Sequence, residues 1–184
     1  DSMNYWGRIP KALVRNGAEL YYGSQQSAAS IESSAGEIRD KIRSIVEETG
    51  CEKVNIIAHS KGGLDSRYAI SRLGMDEFVA SLTTVNAPHK GCAFVQHLLD
   101  TLPEPIIQWT ARKYQSIFTK LGDREPDFLA GVKDLRADAC AKFNEETPDK
   151  EGVLYQSTTS VMRGAFSAPF PLCISYGLVK RYDG

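Results

Sequence analysis

The chain has 184 residues, 42% hydrophobic and 24% charged, which fits one ordinary globular domain and excludes a wholly disordered, collagenous or coiled-coil chain. Lys and Arg number 22 against 23 Asp and Glu, a formal net charge of -1, so no basic excess exists to drive nucleic-acid binding. No run reaches the ~18 apolar residues of a membrane span, and Cys51, Cys92, Cys140 and Cys173 lie far apart without a C-x-x-C pair, which argues against zinc and leaves any disulfide unassigned.

In chain order, Ala18 to Tyr22 reads as a short strand ending at Gly23. Ile31, Ala35, Ile38, Ile42, Ile45 and Val46 then recur at helical spacing. Ser34-x-x-Glu37 offers that helix a capping box, and Gly50 a natural stop. Val54 to Ala58 is a β-branched run suited to a central buried strand. A second helix is expected from about Gly62 to Leu73, ended by Gly74. Val79 to Val85 reads as the next strand, broken by Asn86-Ala87-Pro88. This alternation argues for βαβ units around a parallel sheet. From residue 92 to 152 helical patterning runs without clear strands, cut by prolines. Val153 to Thr159 looks like a strand again. The stretch 92–152 is therefore expected to be a helical cap inserted within a single α/β domain, over the sheet edge where ligands bind.

The informative segment is Val54-Asn55-Ile56-Ile57-Ala58-His59-Ser60-Lys61-Gly62-Gly63-Leu64, a strand, then x-His-Ser-Lys-Gly, then a helix. A nucleophile elbow needs that context: the serine sits in strained backbone geometry above the sheet, and its neighbours must be small because strand and helix nearly touch. Ala58 stands where glycine is more usual, with Gly62 and Gly63 following. The helix N-terminus turns free N–H groups toward charge developing beside Ser60. The bland alternative is a serine that merely caps an ordinary βα turn.

This segment resembles the elbow of bacterial triacylglycerol lipases of the α/β-hydrolase fold. Asn4-Tyr5-Trp6-Gly7-Arg8-Ile9, followed by Asn16 to Tyr21, is similar to the stretch those lipases carry after their oxyanion loop. Leu82 to Ala87 with Pro88-His89-Lys90-Gly91 resembles their strand ending in a Pro-His-x-Gly loop, and Phe143-Asn144 to Ser157 resembles the return from cap to sheet. The resemblance implies a carboxylic ester hydrolase acting on lipid esters, with transient contact at the lipid–water interface. Ser60 would be the nucleophile and the Lys61 backbone N–H an oxyanion donor; Tyr5 and Trp6 would either line the acyl pocket or only seal the core, and His89 would line that pocket. It implies no organic cofactor. Related lipases carry a structural Ca²⁺, whose ligands are not identifiable here.

In this fold the triad order is Ser, then Asp or Glu, then His. The only histidines, His59, His89 and His97, precede any plausible triad acid. The expectation is an internal portion of a longer protein, with the base, the acid and the oxyanion loop outside it. His89 is the best local candidate for a base, but chain order favours a loop histidine that shapes the site. His59 reads as packing and His97 as a cap residue. Asp183 is the one late acid and reads as lying just short of the triad Asp. Asp65 and Arg67 suggest a structural ion pair or a solvated face. Phe94 to Trp109 is apolar enough to form a lid resting over Ser60, or a static cap. Other serine hydrolases of the same fold (a thioesterase, an amidase or a lipid-anchor deacylase) stay open, as does a non-catalytic binding module. A secreted protein is expected, with a cytoplasmic one as the alternative.

Overall fold

The computed structural model describes residues 6–23, 29–120, 127–161, 163–164 and 172–183. Helix α1 spans Ile9–Arg15 and α2 Ile31–Thr49; β1 spans Val54–His59, α3 Lys61–Arg72 and β2 Val79–Val85. Four helices follow, α4 over Ala93–Thr101, α5 over Glu104–Lys120, α6 over Phe128–Lys133 and α7 over Ala137–Glu146. Strand β3 covers Leu154–Thr158 and α8 Leu172–Tyr182.

The three strands form one parallel sheet in the order β1-β2-β3. Leu82 faces Ile56 on one side and Tyr155 on the other. Parallel neighbours need a crossover, and α3 supplies it between β1 and β2. Helix α2 packs against α3. Ala35 and Ile42 of α2, Ala69 and Ile70 of α3, and Ala58, Val79 and Leu82 of the strands close one core with Met75 and Val153. Ile31, Leu64, Cys140 and Phe143 form a second, smaller cluster that joins α7 to the α2–α3 pair.

Three expectations need correcting. Ala18 to Tyr22 forms no strand: a strand exists only with a ladder partner, and this segment pairs with none among the described residues. Its Tyr22 side is 61% exposed. The first long helix starts at Ile31 with Ser30 as its cap, whose hydroxyl accepts from the Ser33 N–H at 3.3 Å, and the Ser34 capping box does not form. Ser34 instead lies buried inside the helix. Finally, β2 and not β1 is central among the described strands, so Ile57 of β1 is 40% exposed. Gly50 ends α2 in the left-handed conformation at φ 71°.

Candidate active site

Ser60 stands between β1 and α3 with φ 54° and ψ −132°, one of only two non-glycine residues at positive φ among those described. Such a conformation costs on the order of 1–3 kcal/mol and persists only where the surroundings impose it. Two contacts impose it here. The Ser60 N–H donates to the Val85 carbonyl at 3.0 Å, fixing the turn to the end of β2, and the Ser60 carbonyl accepts from the Gly63 N–H at 3.0 Å. The hydroxyl makes no capping bond to the helix it precedes. The simple N-cap alternative is thereby removed. The Lys61 N–H makes no hydrogen bond among the described residues, as the first N–H groups of a helix are left without an intrahelical partner.

The turn requires small residues. A Cβ on Gly63 would lie 2.7 Å from Ala87 Cβ and 3.0 Å from Thr84 Cγ2. Neither atom is the free end of a flexible chain, so α3 would have to move off β2. Gly63→Ala is expected to destabilise the protein by about 2 kcal/mol through overpacking, measured as a lowered urea midpoint at unchanged slope. A midpoint equal to that of the unmodified protein would mean that the close approach does not constrain the elbow.

His59 packs edge-on against Trp6, ring centroids 6.5 Å apart. Tyr5 lies outside the described residues. His89 leaves the end of β2 and has both ring nitrogens engaged. Its Nδ1 lies 3.3 Å from an Arg67 guanidinium nitrogen and its Nε2 lies 3.0 Å from Thr84 Oγ1. A guanidinium only donates, so Nδ1 is the acceptor and Nε2–H donates to the threonine. Burial, and then the Arg67 charge, push the His89 pKa below its ordinary value. A neutral imidazole held at both ends is a bracing group, not a base free to take a proton from Ser60. The Asn144 amide also donates to the His89 carbonyl at 2.8 Å.

Asp65 and Arg67 do not pair with each other. Asp65 accepts from Lys61 Nζ at 2.7 Å, and the same ammonium donates to Ser34 Oγ at 3.1 Å. Asp65 is buried and Lys61 half-buried, with side-chain exposures of 3% and 12%. Burial raises the Asp65 carboxyl above the ordinary carboxylate range, with Lys61 opposing and Asp134 adding to the rise. Arg67 turns the other way and donates to Asn144 Oδ1 at 2.7 Å and to the Thr147 carbonyl at 3.0 Å.

Asp183 is not a free carboxylate. It accepts from the Ala93 N–H at 2.5 Å, the Phe94 N–H at 3.0 Å and the Cys92 thiol at 3.4 Å. It thus caps α4 from ninety residues away, a favourable place for a negative charge. Nothing in the local sequence signals that partnership. His97, on α4, stacks on Tyr182 at 4.4 Å between centroids. Between these elements and the C-terminal ends of β2 and β3 lies a cleft of about 620 Å³, lined by Thr84, Asn86, His89, Ser157, Ser160 and Asp183 among others, while Ser60 does not line it. Within the apolar stretch Ile107 is buried, while Ile106 is 48% and Trp109 58% exposed. These two residues lie about one turn apart on α5, so both fall toward one side of it.

Among the described residues no three His, Cys, Asp or Glu side chains converge to hold a metal ion. No helix among the described residues is long and apolar enough to cross a membrane.

The family model of palmitoyl protein thioesterases matches residues 9–136. A triacylglycerol lipase of Pseudarthrobacter phenanthrenivorans is 30% identical over 156 residues, covering 79% of this chain and 48% of that protein. One of Vibrio cholerae is 30% identical over 172 residues, covering 89% of this chain and 53% of that protein. The chain thus spans about half the length of these curated relatives. Among solved structures, the mature lipase BlEst2 of Bacillus licheniformis superposes with a TM-score of 0.56 at 18% identity, over 82% of this chain and 56% of that one. Phospholipase PlaB of Legionella pneumophila gives 0.56 at 16% identity, over 84% and 35%. The fold is that of the α/β-hydrolases.

Proposed function

The chain belongs to the palmitoyl protein thioesterase family, and from that premise we propose that the whole protein is a carboxylic ester hydrolase, first of all a triacylglycerol lipase, working through Ser60 and an acyl-enzyme. The single observation carrying this reading is the strained Ser60 backbone at the start of α3, with a hydroxyl that caps nothing. Strain held at one polar residue marks a site where geometry serves chemistry.

In this reading Ser60 Oγ attacks the acyl carbonyl and its proton passes to a histidine supplied by the rest of the protein. His89 is braced at both nitrogens, and His59 and His97 are turned to aromatic rings. The oxyanion takes the Lys61 N–H as one donor, and its collapse breaks the bond to the leaving oxygen, which takes the proton back from the histidine and departs as the alcohol, leaving the acyl group on Ser60. Water then attacks the acyl-enzyme by the same route in reverse. Lipid esters as substrates accord with the lipase names of the relatives. The family model favours a second reading, in which the leaving group is a thiol. The same machinery serves both, since the leaving group departs on the side away from the oxyanion donors.

The test is a substrate panel on the whole protein: a triglyceride emulsion, a soluble short-chain p-nitrophenyl ester and an S-palmitoyl peptide. A lipase turns over the emulsion, and its rate jumps as the triglyceride passes its solubility limit, because exposed Ile106 and Trp109 meet the lipid surface. Replacing both with Ser is expected to flatten that jump and spare the soluble ester. Preference for the thioester, with smooth saturation on the emulsion, would move the assignment to the second reading. No turnover on any of the three would defeat both.

A further inference from the structure

Helix α3, like α1 and α7, lacks the side-chain cap that α2, α4 and α6 possess. Ser30 caps α2, Asp127 caps α6 through the Ala130 N–H, and Asp183 caps α4. Ser60 gives α3 no such bond. A hydroxyl reserved for attack cannot also hold the helix end, and an uncapped first turn tends to open. Yet this turn carries the Lys61 N–H, which the proposed reaction needs fixed.

Lys61 occupies the first position of α3, where the positive end of the helix dipole disfavours a cation. A lysine there would ordinarily reach into water. Instead its side chain is only 12% exposed and tied at its tip to two elements, Asp65 one turn along the same helix and Ser34 on α2. Ser34 is fully buried. Asp134, the other charged group acting on Asp65, itself accepts from the Ile31 N–H at 2.7 Å and so holds the start of α2. The first turns of both helices are thus held beside one buried charged cluster.

We propose that the Lys61–Asp65–Ser34 cluster is a positioning device that stands in for the missing N-cap, locking the first turn of α3 to α2 so that the Lys61 amide keeps its aim at the acyl oxygen. This rests on the serine-hydrolase reading above. Lys61 is then two parts in one residue: an amide that faces the reaction and a side chain that fixes where the amide sits. Its ammonium is occupied by Asp65 and Ser34 and is no base for Ser60.

The decisive variant is Lys61→Met with Asp65→Leu in the whole protein. Exchanging a buried ion pair for apolar residues of similar size is often neutral or stabilising, so a purely structural pair could be replaced without loss of activity. The positioning role makes a different demand. The double variant is expected to unfold at an unchanged or higher urea concentration, yet to lose roughly tenfold in kcat at a KM within about twofold, since misplacing one oxyanion donor raises the barrier without weakening substrate binding. Amide exchange at Gly63 to Asp65 should quicken about tenfold. Ser34→Ala, which removes a single hydroxyl, is expected to lower kcat about threefold. A folded double variant with normal kcat and normal exchange overturns the proposal, and so does full activity in Ser34→Ala if the double variant fails to fold. Exchange is read without substrate. If the unmodified protein hydrolyses no ester through Ser60, the functional reading fails, and unchanged exchange in the variant would separately remove the anchor.

Discussion

Ser60→Ala is expected to lower kcat on the whole protein's ester substrate by on the order of 10⁴-fold or more, because nucleophile and base act as one unit and neither works without the other. Folding should survive. The hydroxyl caps nothing, and no buried partner among the described residues is orphaned by its removal. The strain remains, since alanine tolerates φ 54° no better than serine. Ser60→Gly separates the two effects. Glycine adopts positive φ without steric cost, so this variant should be equally inactive but about 1 kcal/mol more stable than Ser60→Ala. The measurements are kcat for each variant and the urea midpoints of both. An inactive glycine variant that is also the more stable would locate the strain at the residue doing the chemistry. Substantial turnover in Ser60→Ala would remove the serine mechanism, and equal midpoints would mean that the positive φ stores no strain.

The part of this structure legible in the sequence is the part fixed by neighbours in the chain. Val54 to Val85 reads as strand, elbow, helix and strand, and folds so with shifts of one residue at the ends. β-branched runs, a glycine pair and a helical stripe are local signals, and the βαβ unit is built from local connections. What was not legible depends on partners far away. Ala18 to Tyr22 has strand composition, but a strand is made by its neighbour. Asp183 reads as a late acid, and only the fold shows it capping α4. An ion pair between Asp65 and Arg67, one of the two readings beside a solvated face, is an instance where helix geometry alone was enough to object. Residues two apart point to different sides of a helix, whereas Lys61 and Asp65, four apart, meet. That spacing is visible in the sequence. That both groups would be buried is not.

Arg67 gathers several of these long-range contacts on one side chain. One guanidinium joins α3 to the end of α7 and to the loop after β2. It donates to Asn144 Oδ1 at 2.7 Å, to the Thr147 carbonyl at 3.0 Å and to the His89 ring. It lies over the Phe143 ring at 5.2 Å as well. Every acceptor is neutral, so its charge is stabilised by aligned dipoles and a ring face with no carboxylate in contact. Arg67→Met keeps the length and removes all of these donors. Thr147 is 1% exposed and would lose a donor to its carbonyl that water does not easily replace. The expected loss is about 3–4 kcal/mol, a drop of roughly 1.5–2 M in urea midpoint for a chain of this size. Lysine should rescue little, since one ammonium cannot span acceptors on opposite sides of a planar fork. The acid limb gives a second readout. Burial first and Arg67 second hold the His89 pKa below its ordinary value, so the neutral ring's contribution is complete above about pH 6.5 and is lost as the pH falls below it. Removing Arg67 takes away the second cause. The stability lost between about pH 7 and 5 should therefore be smaller in Arg67→Met than in the unmodified protein, although the variant is weaker at every pH. A midpoint within about 0.3 M of the unmodified value, or an undiminished acid loss, would show that α3 and α7 are held together by packing alone and that Arg67 does not brace His89.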